Sequence, residues 1–593
     1  MKNTVRKNWD LERLFPDGLE HELQLKNEQM EALHEQIKNS KTPDDFKDFL
    51  LTVEEVQKLY SDVFAIDEYA ICLSSQDVQD RNGHYFMDQS QRLKAKMESL
   101  LLTFDQYIAA IYESSWHEWI QAEELDGIRT SLMERRRQKK ERLAPELEQA
   151  IHTLSMNGFE GWEDLYEQEF ARLRVPVEED GEVTEMSFDM AFMKAMLSKD
   201  RSVRSSIAAS IIEVCKQNQD RFALIFNHFA GFRNDLYELR GWTNPLKEMY
   251  EQNRMTEPAV TSMMKALHDH KDLLYQFLKR KAQIDHLAKP DWYDLYAPSF
   301  TAKTTLTYEE ATEIVIQQFS QYSEKLGDFA KQAFQDGWID AEPHENKRHG
   351  AFCASIPHVK ESRVLLSFHG TYQDVVTLAH ELGHAYHNTL LHEQPGFAQH
   401  AGTGLAETAS TFAENLVLDA AIDLAKTEED ALSLLEMKII NGLKYTTFIP
   451  AKFEFEKDFY EKRKQGKLSS SEMIDLMEAK ERDWFGDQLE HVNAYNWMSI
   501  PHFYDTEKAF YNIPYTIGYL FSNGMYAQYK EHPASFPEKY DGLLSRSGDL
   551  PMDELCAAFL GQDLNTQTFW NESFRPLEEA IEDYLKRTEN YIT

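Results

Sequence analysis

Cysteine is scarce: Cys72, Cys215, Cys353 and Cys556 are the only four in 593 residues, widely separated and with no Cys-x-x-Cys pair. This excludes a disulfide framework and a thiolate zinc site, and it fits a reducing compartment. Long apolar runs are missing as well, since no stretch of about 18 apolar residues reads as a membrane span. The N-terminal stretch MKNTVRKNWDLERLF has basic residues but no apolar segment of the signal-peptide kind after it. The expectation is a cytoplasmic protein without a membrane partner. Positive charge is the minority sign: 63 Lys and Arg against 101 Asp and Glu give a net charge of −38, which argues against nucleic acid or anionic lipid as a ligand. Linkers rich in Pro, Gly and Ser, internal repeats and low-complexity tracts are also lacking. One or two large lobes are therefore expected, although the length alone would allow roughly four domain-sized units.

What is abundant is helical periodicity. From Leu19 to about Met156 apolar residues recur at spacings of three and four between charged ones, as in VEEVQKLYSDVFAIDEYAICL, the pattern of amphipathic helices packed on one another. RVPVEEDGEVTEMSFDM interrupts this pattern, and helical spacing resumes in AFMKAMLSKDRSVRSS. A main boundary is placed near residue 195, with a helical lobe over 1–195 and a second domain over 196–593. The stretch 336–370 loses the helical period, and RVLLSF is rich in β-formers, so a small sheet is expected there. The remainder reads as helix again, apart from a loop rich in His, Asn, Pro and Tyr around 491–515. The fold class is mainly α, with a small sheet beside the helix considered next.

That helix contains TLAHELGHAYH. His380 and His384 share a helical face roughly 6 Å apart along the axis, so both imidazoles can converge on one ion, with Glu381 displaced round the face. This is HExxH, in which two histidines bind zinc and the glutamate accepts a proton from a water on the metal. The pattern also arises by accident, so the context has to decide. Thr371 and Asp374 form a capping box after Gly370, so the helix begins directly after LLSFHG, the strand-to-helix order of zincins.

Catalytic zinc keeps three protein ligands and one open position. The metzincin pattern fails, because His387 and Leu390 stand where it needs Gly and His. The positions at which aminopeptidase-like and thermolysin-like zincins place their ligand glutamate hold Thr403 and Gly404. The next glutamate along the chain is Glu407, in GTGLAETASTFAENLV, and it is taken as the third ligand. Glu414, on the same helical face, supports the ligands, binds the ion itself, or is an ordinary solvated carboxylate of the helix face. Glu393 lies in a turn, HEQPG, and makes a poor ligand.

HELGH followed by ETAS, with GAFC and FHGTYQDVVTLAHELGHAYH upstream, resembles the oligoendopeptidase F branch of the thimet oligopeptidase family of zinc metallopeptidases, most strongly over about 335–525. The resemblance implies a two-lobed helical shell around a deep channel, one Zn2+ ion, and endopeptidase action on short unfolded peptides. It assigns the zinc ligands to His380, His384 and Glu407 and the general base to Glu381. It also implies a histidine and one or more tyrosines that hold the carbonyl oxygen of the scissile bond, within PHFYDTEKAFYNIPYTIGYLFS. His502 matches the histidine. Tyr511 and Tyr515 compete for the tyrosine, with Tyr515 favoured and Tyr519 an outsider. His387 is read as a packed histidine or one that backs the ligands, His400 as an exposed loop residue in preference to a substrate contact, and AFCASI as an edge strand on which a peptide can add or else a plain structural strand. The competing reading is a non-catalytic helical scaffold that binds peptides and retains zinc, which would be expected to have lost Glu381 first.

Overall fold

The computed structural model describes residues 6–179 and 181–592; the first residues of the basic N-terminal stretch lie outside them. Among the described residues the chain is mainly helical, with two small sheets. It groups into two compact units that interleave along the sequence. One comprises residues up to 141 with 304–421 and 528–562, and the other comprises 142–303, 422–527 and 563 onward. The division near residue 195 is a cut along the sequence, whereas this grouping in space is discontinuous.

In the first unit, helices Leu19–Ser40, Phe46–Gln76 and Arg81–Ala109 pack around Leu33, Phe49, Val53, Leu100 and Phe104. The three-and-four spacing of the sequence is the cause, since it collects these side chains on one stripe of each helix. The expected sheet forms where the helical period lapses: β3 (Ile339–Asp340), β4 (Phe352–Ile356) and β5 (Glu361–Leu365), in the order β3-β5-β4. β3 runs parallel to β5 and β4 antiparallel to it, so β4 is an edge strand, as AFCASI is read above. Ser355 donates its backbone N–H to the Glu68 carboxylate of the neighbouring helix at 3.3 Å.

Two buried cations fix this sheet. Arg363 of β5 donates twice to Asp10 O, at 3.0 and 2.8 Å, and also to Glu361. Lys347, buried with Asp340, binds its carboxylate at 2.5 Å and the Asp340 and Glu342 carbonyls at 3.0 and 3.1 Å, which folds the loop after β3 back on itself.

The second unit contains a feature that the sequence pattern did not disclose. The interruption at 174–190 is an antiparallel hairpin of β1 (Arg174–Glu179) and β2 (Glu182–Ser187), followed by helix Phe188–Leu197. Val175 and Val177 are buried while their neighbours are charged or Pro, an alternation that runs for too few residues to stand out. The hairpin packs on the long helix Arg201–Leu239, whose Phe226 stacks on Phe459 with ring centroids 4.1 Å apart.

Lys347→Met leaves the buried Asp340 charge without a partner. A loss of about 3–5 kcal/mol is expected, read as a lower thermal midpoint. Lys347→Met combined with Asp340→Leu recovers most of it, because the uncompensated charge is then gone.

Candidate metal centre

The helix Tyr372–Leu391 starts with a complete capping box: Asp374 N donates to Thr371 Oγ1 at 3.2 Å and Thr371 N to Asp374 Oδ2 at 2.9 Å. The preceding Gly370 has φ +90°, and a Cβ there would lie 2.8 Å from Leu306 O, so only glycine makes the turn from β5 into this helix. Val375, Leu378, Ala379, Leu382 and Tyr386 are buried on its inner faces. His380 and His384 are left half-buried on a common face.

A second helix, Thr408–Asp423, crosses the first at Gly383. A Cβ at Gly383 would sit 2.6 Å from Ala409 O and 2.7 Å from Ser410 Cα, so the crossing is backbone on backbone. This contact brings Glu407, at the mouth of the second helix, over the two imidazoles. Glu407 Oε2 lies 3.4 Å from His380 Nε2 and 3.4 Å from His384 Nε2, and the two nitrogens are 3.2 Å apart. Corners of a tetrahedron centred on zinc, with bonds of about 2.0–2.1 Å, are about 3.3 Å apart. The three donors therefore fit three corners of a zinc site and leave the fourth to another group.

Partners outside the triangle fix two of the donors, His380 and Glu407. His380 Nδ1 is 2.5 Å from Glu414 Oε1, which turns Nε2 towards the other two donors. Of the three roles that the sequence leaves open to Glu414, the contact made is with His380, as a support for that ring. Ser410 Oγ donates to Glu407 Oε2 at 3.1 Å. Burial disfavours charge on His380, but the Glu414 carboxylate outweighs it and raises the imidazole to about 9. Burial also opposes ionisation of Glu407, yet the His384 hydrogen bond and charge hold its carboxyl down at about 2. Glu381 is only 5% exposed, and burial pushes its carboxyl upward, the direction a proton acceptor needs.

The remaining histidines fall away from this cluster. His387 is buried and bonds Ser547 Oγ at 2.7 Å, and burial lowers it to about 4, so it is a packed residue. His400 corrects the reading as an exposed loop residue. Its ring stands edge-on to Phe64, with centroids 4.1 Å apart, and burial lowers it to about 4. The polar, Gly-flanked sequence around it concealed the aromatic residues supplied by helix Phe46–Gln76. Glu393 is exposed and pairs with Lys360 at 2.7 Å.

The late segment belongs to the second unit. His502 Nε2 and Tyr515 Oη are 3.4 Å apart, and the Tyr511 ring lies 4.9 Å from the His502 ring. Burial, then the Lys452 ammonium, lower the His502 pKa, which favours a neutral ring. Tyr519 is buried and stacked on Tyr445, so it packs. The segment hangs on a residue that sequence reading missed: Arg233 donates to Asp505 O at 2.7 Å and Thr506 O at 3.2 Å. No local signal could have revealed it, since the partners lie far apart in the chain. Among the described residues one other His and carboxylate grouping exists, His268, Glu454 and Asp483, but Lys271 binds Asp483 and Lys480 flanks Glu454, which supplies the compensating charge without a metal.

Gly383→Ala places a Cβ against the Ala409 and Ser410 backbone and so pushes the two helices apart. The expected outcome is a folded protein with zinc affinity lowered by at least tenfold, measured by competition with a chromogenic chelator, and with little change in helical content by circular dichroism.

Residues 194–574 match the family described as Peptidase family M3, and residues 108–174 match the one described as Oligopeptidase F. The chain is 22% identical to an oligoendopeptidase F homolog of Lactococcus lactis subsp. lactis, over 99% of this chain and 98% of that protein. It is 25% identical to group B oligopeptidase PepB of Streptococcus agalactiae, over 66% of this chain and 65% of that protein. The fold is shared with oligoendopeptidase-F from Enterococcus faecium, with a TM-score of 0.68, 17% identity and 98% of each chain covered. It is shared too with PZ peptidase A, with a TM-score of 0.72, 16% identity, and 94% of this chain and 97% of that one covered. With the family match spanning well over half its length, the chain belongs to peptidase family M3, a family of zinc metallopeptidases, in its oligoendopeptidase F branch.

Proposed function

We propose that this metallo-oligopeptidase cuts internal bonds of short, unfolded peptides with one zinc ion held by His380, His384 and Glu407. The observation that carries this reading is the triangle of donor atoms, 3.2, 3.4 and 3.4 Å on its sides, with Glu381 in sequence between the two histidines. Zinc bound there would supply Lewis acidity, making a water more acidic and a carbonyl more electrophilic. Glu381 accepts the proton of the attacking water and returns it to the departing amine. Glu414 holds His380 in one orientation throughout. His502 and Tyr515 donate to the carbonyl oxygen as it gains charge, with Tyr511 the competing phenol. Support for Tyr515 is its hydroxyl 3.4 Å from His502 Nε2. No covalent enzyme intermediate is required.

The second domain, 196–593, is proposed as the catalytic part, in keeping with the family match over 194–574. A cytoplasmic setting is proposed from the four free thiols. Among the described residues no helix is long and apolar enough to cross a membrane. The scaffold reading has no support in the family match, and the retained Glu381 speaks against it.

Two outcomes test the assignments. Glu381→Gln keeps zinc, measured by atomic absorption on the purified protein, and loses at least a thousandfold in kcat on a quenched-fluorescence peptide, whereas Glu407→Ala loses both metal and activity. Substantial cleavage by Glu381→Gln removes the assigned base. Separately, Tyr515→Phe lowers kcat by about 10²–10³-fold with KM within a few-fold, the signature of a donor that acts on transition-state charge. A larger kcat loss in Tyr511→Phe transfers the role to Tyr511.

A further inference from the structure

Five non-glycine residues among those described have a positive φ: Lys41, Arg254, His286, Lys360 and Phe510, with values between +48° and +62°. The first four lie one or two residues past the end of a helix, where a positive φ is a common way to stop one. Phe510 does not. It stands ahead of helix Ile513–Glu531, whose first N–H donates to the Phe510 carbonyl at 3.2 Å. It is also wholly buried, at 0% exposed. A bulky residue in the left-handed region strains the backbone, and such strain persists only where the surroundings impose it.

Both flanks of Phe510 are tied down, all within the second unit. Upstream, Arg233 binds the Asp505 and Thr506 carbonyls, Asp505 Oδ1 accepts from Glu507 N at 2.9 Å and Lys508 N at 2.6 Å, and Gln252 Nε2 donates to Glu507 O at 2.9 Å. Downstream, Thr516 Oγ1 donates to Tyr445 O at 2.6 Å, which holds the first turn of the helix. The change of direction between them falls to residues 509–512. Its wedge is the Phe510 ring, set against Tyr460 and Phe453 of helix Ile449–Arg463 with centroids 5.3 and 5.9 Å away. Glycine would take the same φ without strain, so the phenylalanine serves through its ring, whose burial confines the backbone. The next residue is Tyr511, half-buried, with its ring 4.9 Å from the His502 ring and 5.8 Å from the Tyr515 ring.

We infer that Phe510 is a positioning residue: its wedged, left-handed backbone sets the Tyr511 ring against His502. The inference rests on the reading above in which His502 and one of these tyrosines act on the scissile carbonyl.

The test separates the wedge from the strain. Phe510→Gly removes both and is expected to lower kcat about 30-fold with KM within threefold. Phe510→Leu keeps an apolar wedge and should stay within about threefold of the unaltered enzyme. Lys41→Gly, which relieves a positive φ at an exposed helix end, should leave kcat unchanged. In a Tyr511→Ala background Phe510→Gly should cost less than about threefold more, because the ring it places is gone. Ala509→Gly loosens the same turn with the wedge intact, should lower kcat in the same way, and takes the place of Phe510→Gly if that variant does not fold. Full multiplication of the two losses, or an unchanged kcat in Phe510→Gly where Tyr511→Ala lowers it, overturns the assignment. Spectra of protein labelled with 13C at histidine Cε1 give a readout without turnover, the His502 signal being identified by its loss in His502→Gln. Phe510→Gly should move that signal in the same direction as Tyr511→Ala. A signal that moves in Tyr511→Ala and stays in place in Phe510→Gly overturns the assignment. Matching shifts with no loss of kcat in Tyr511→Ala leave the positioning standing and remove the part proposed for Tyr511 in cleavage.

Discussion

The contact of Gly383 with the Ala409 and Ser410 backbone is the constraint on which the candidate metal centre depends. Two histidines one turn apart on a helix define only an axis. A third donor must arrive from another element and be held to a few tenths of an ångström, and helices that touch through side chains usually lie 8–10 Å apart. Removing the side chain at the crossing lets the backbones meet, so Glu407 and Glu414 come down on either side of His380. The motif glycine is therefore a spacing device as much as a sequence marker.

Charge is arranged around this geometry with economy. The donor cluster is itself half-buried, and the carboxylates of Glu407 and Glu414 are positioned to neutralise a dication that two neutral imidazoles could not. Elsewhere the chain uses buried cations to fasten irregular backbone: Lys347 on the loop after β3, Arg363 on the segment at Asp10, and Arg233 on the turn at Asp505. Each one donates to backbone carbonyl oxygens, which holds the segment that carries them in place.

Legibility followed range. Thr371, Asp374, His380, Glu381 and His384 lie in one helix, where spacing alone dictates direction, and the capping box and shared face came out as read. Glu407 was reachable because few carboxylates stand in the right window. The fold class was legible from periodicity, and β4 and β5 from its lapse. The hairpin at 174–187 was not, because two short strands with one apolar face leave too weak an alternation. The surroundings of His400 and the anchoring of the late segment by Arg233 depend on elements distant in sequence, about which local pattern carries no information.

The edge strand β4 has a final consequence. Residues in an antiparallel pair alternate between those whose N–H and C=O point to the partner and those that point away. Since the Ser355 N–H is already taken by Glu68, the outward row of this five-residue strand is left with little beyond the backbone of Cys353 and the Ser355 carbonyl. So short a ladder is a poor template for other copies of the chain, which removes the usual aggregation hazard of an open sheet. It also bounds how tightly any guest strand can be gripped through main-chain atoms alone. Residence time on such a site would be set by the guest's side chains, and a product that loses half of them on cleavage would leave quickly.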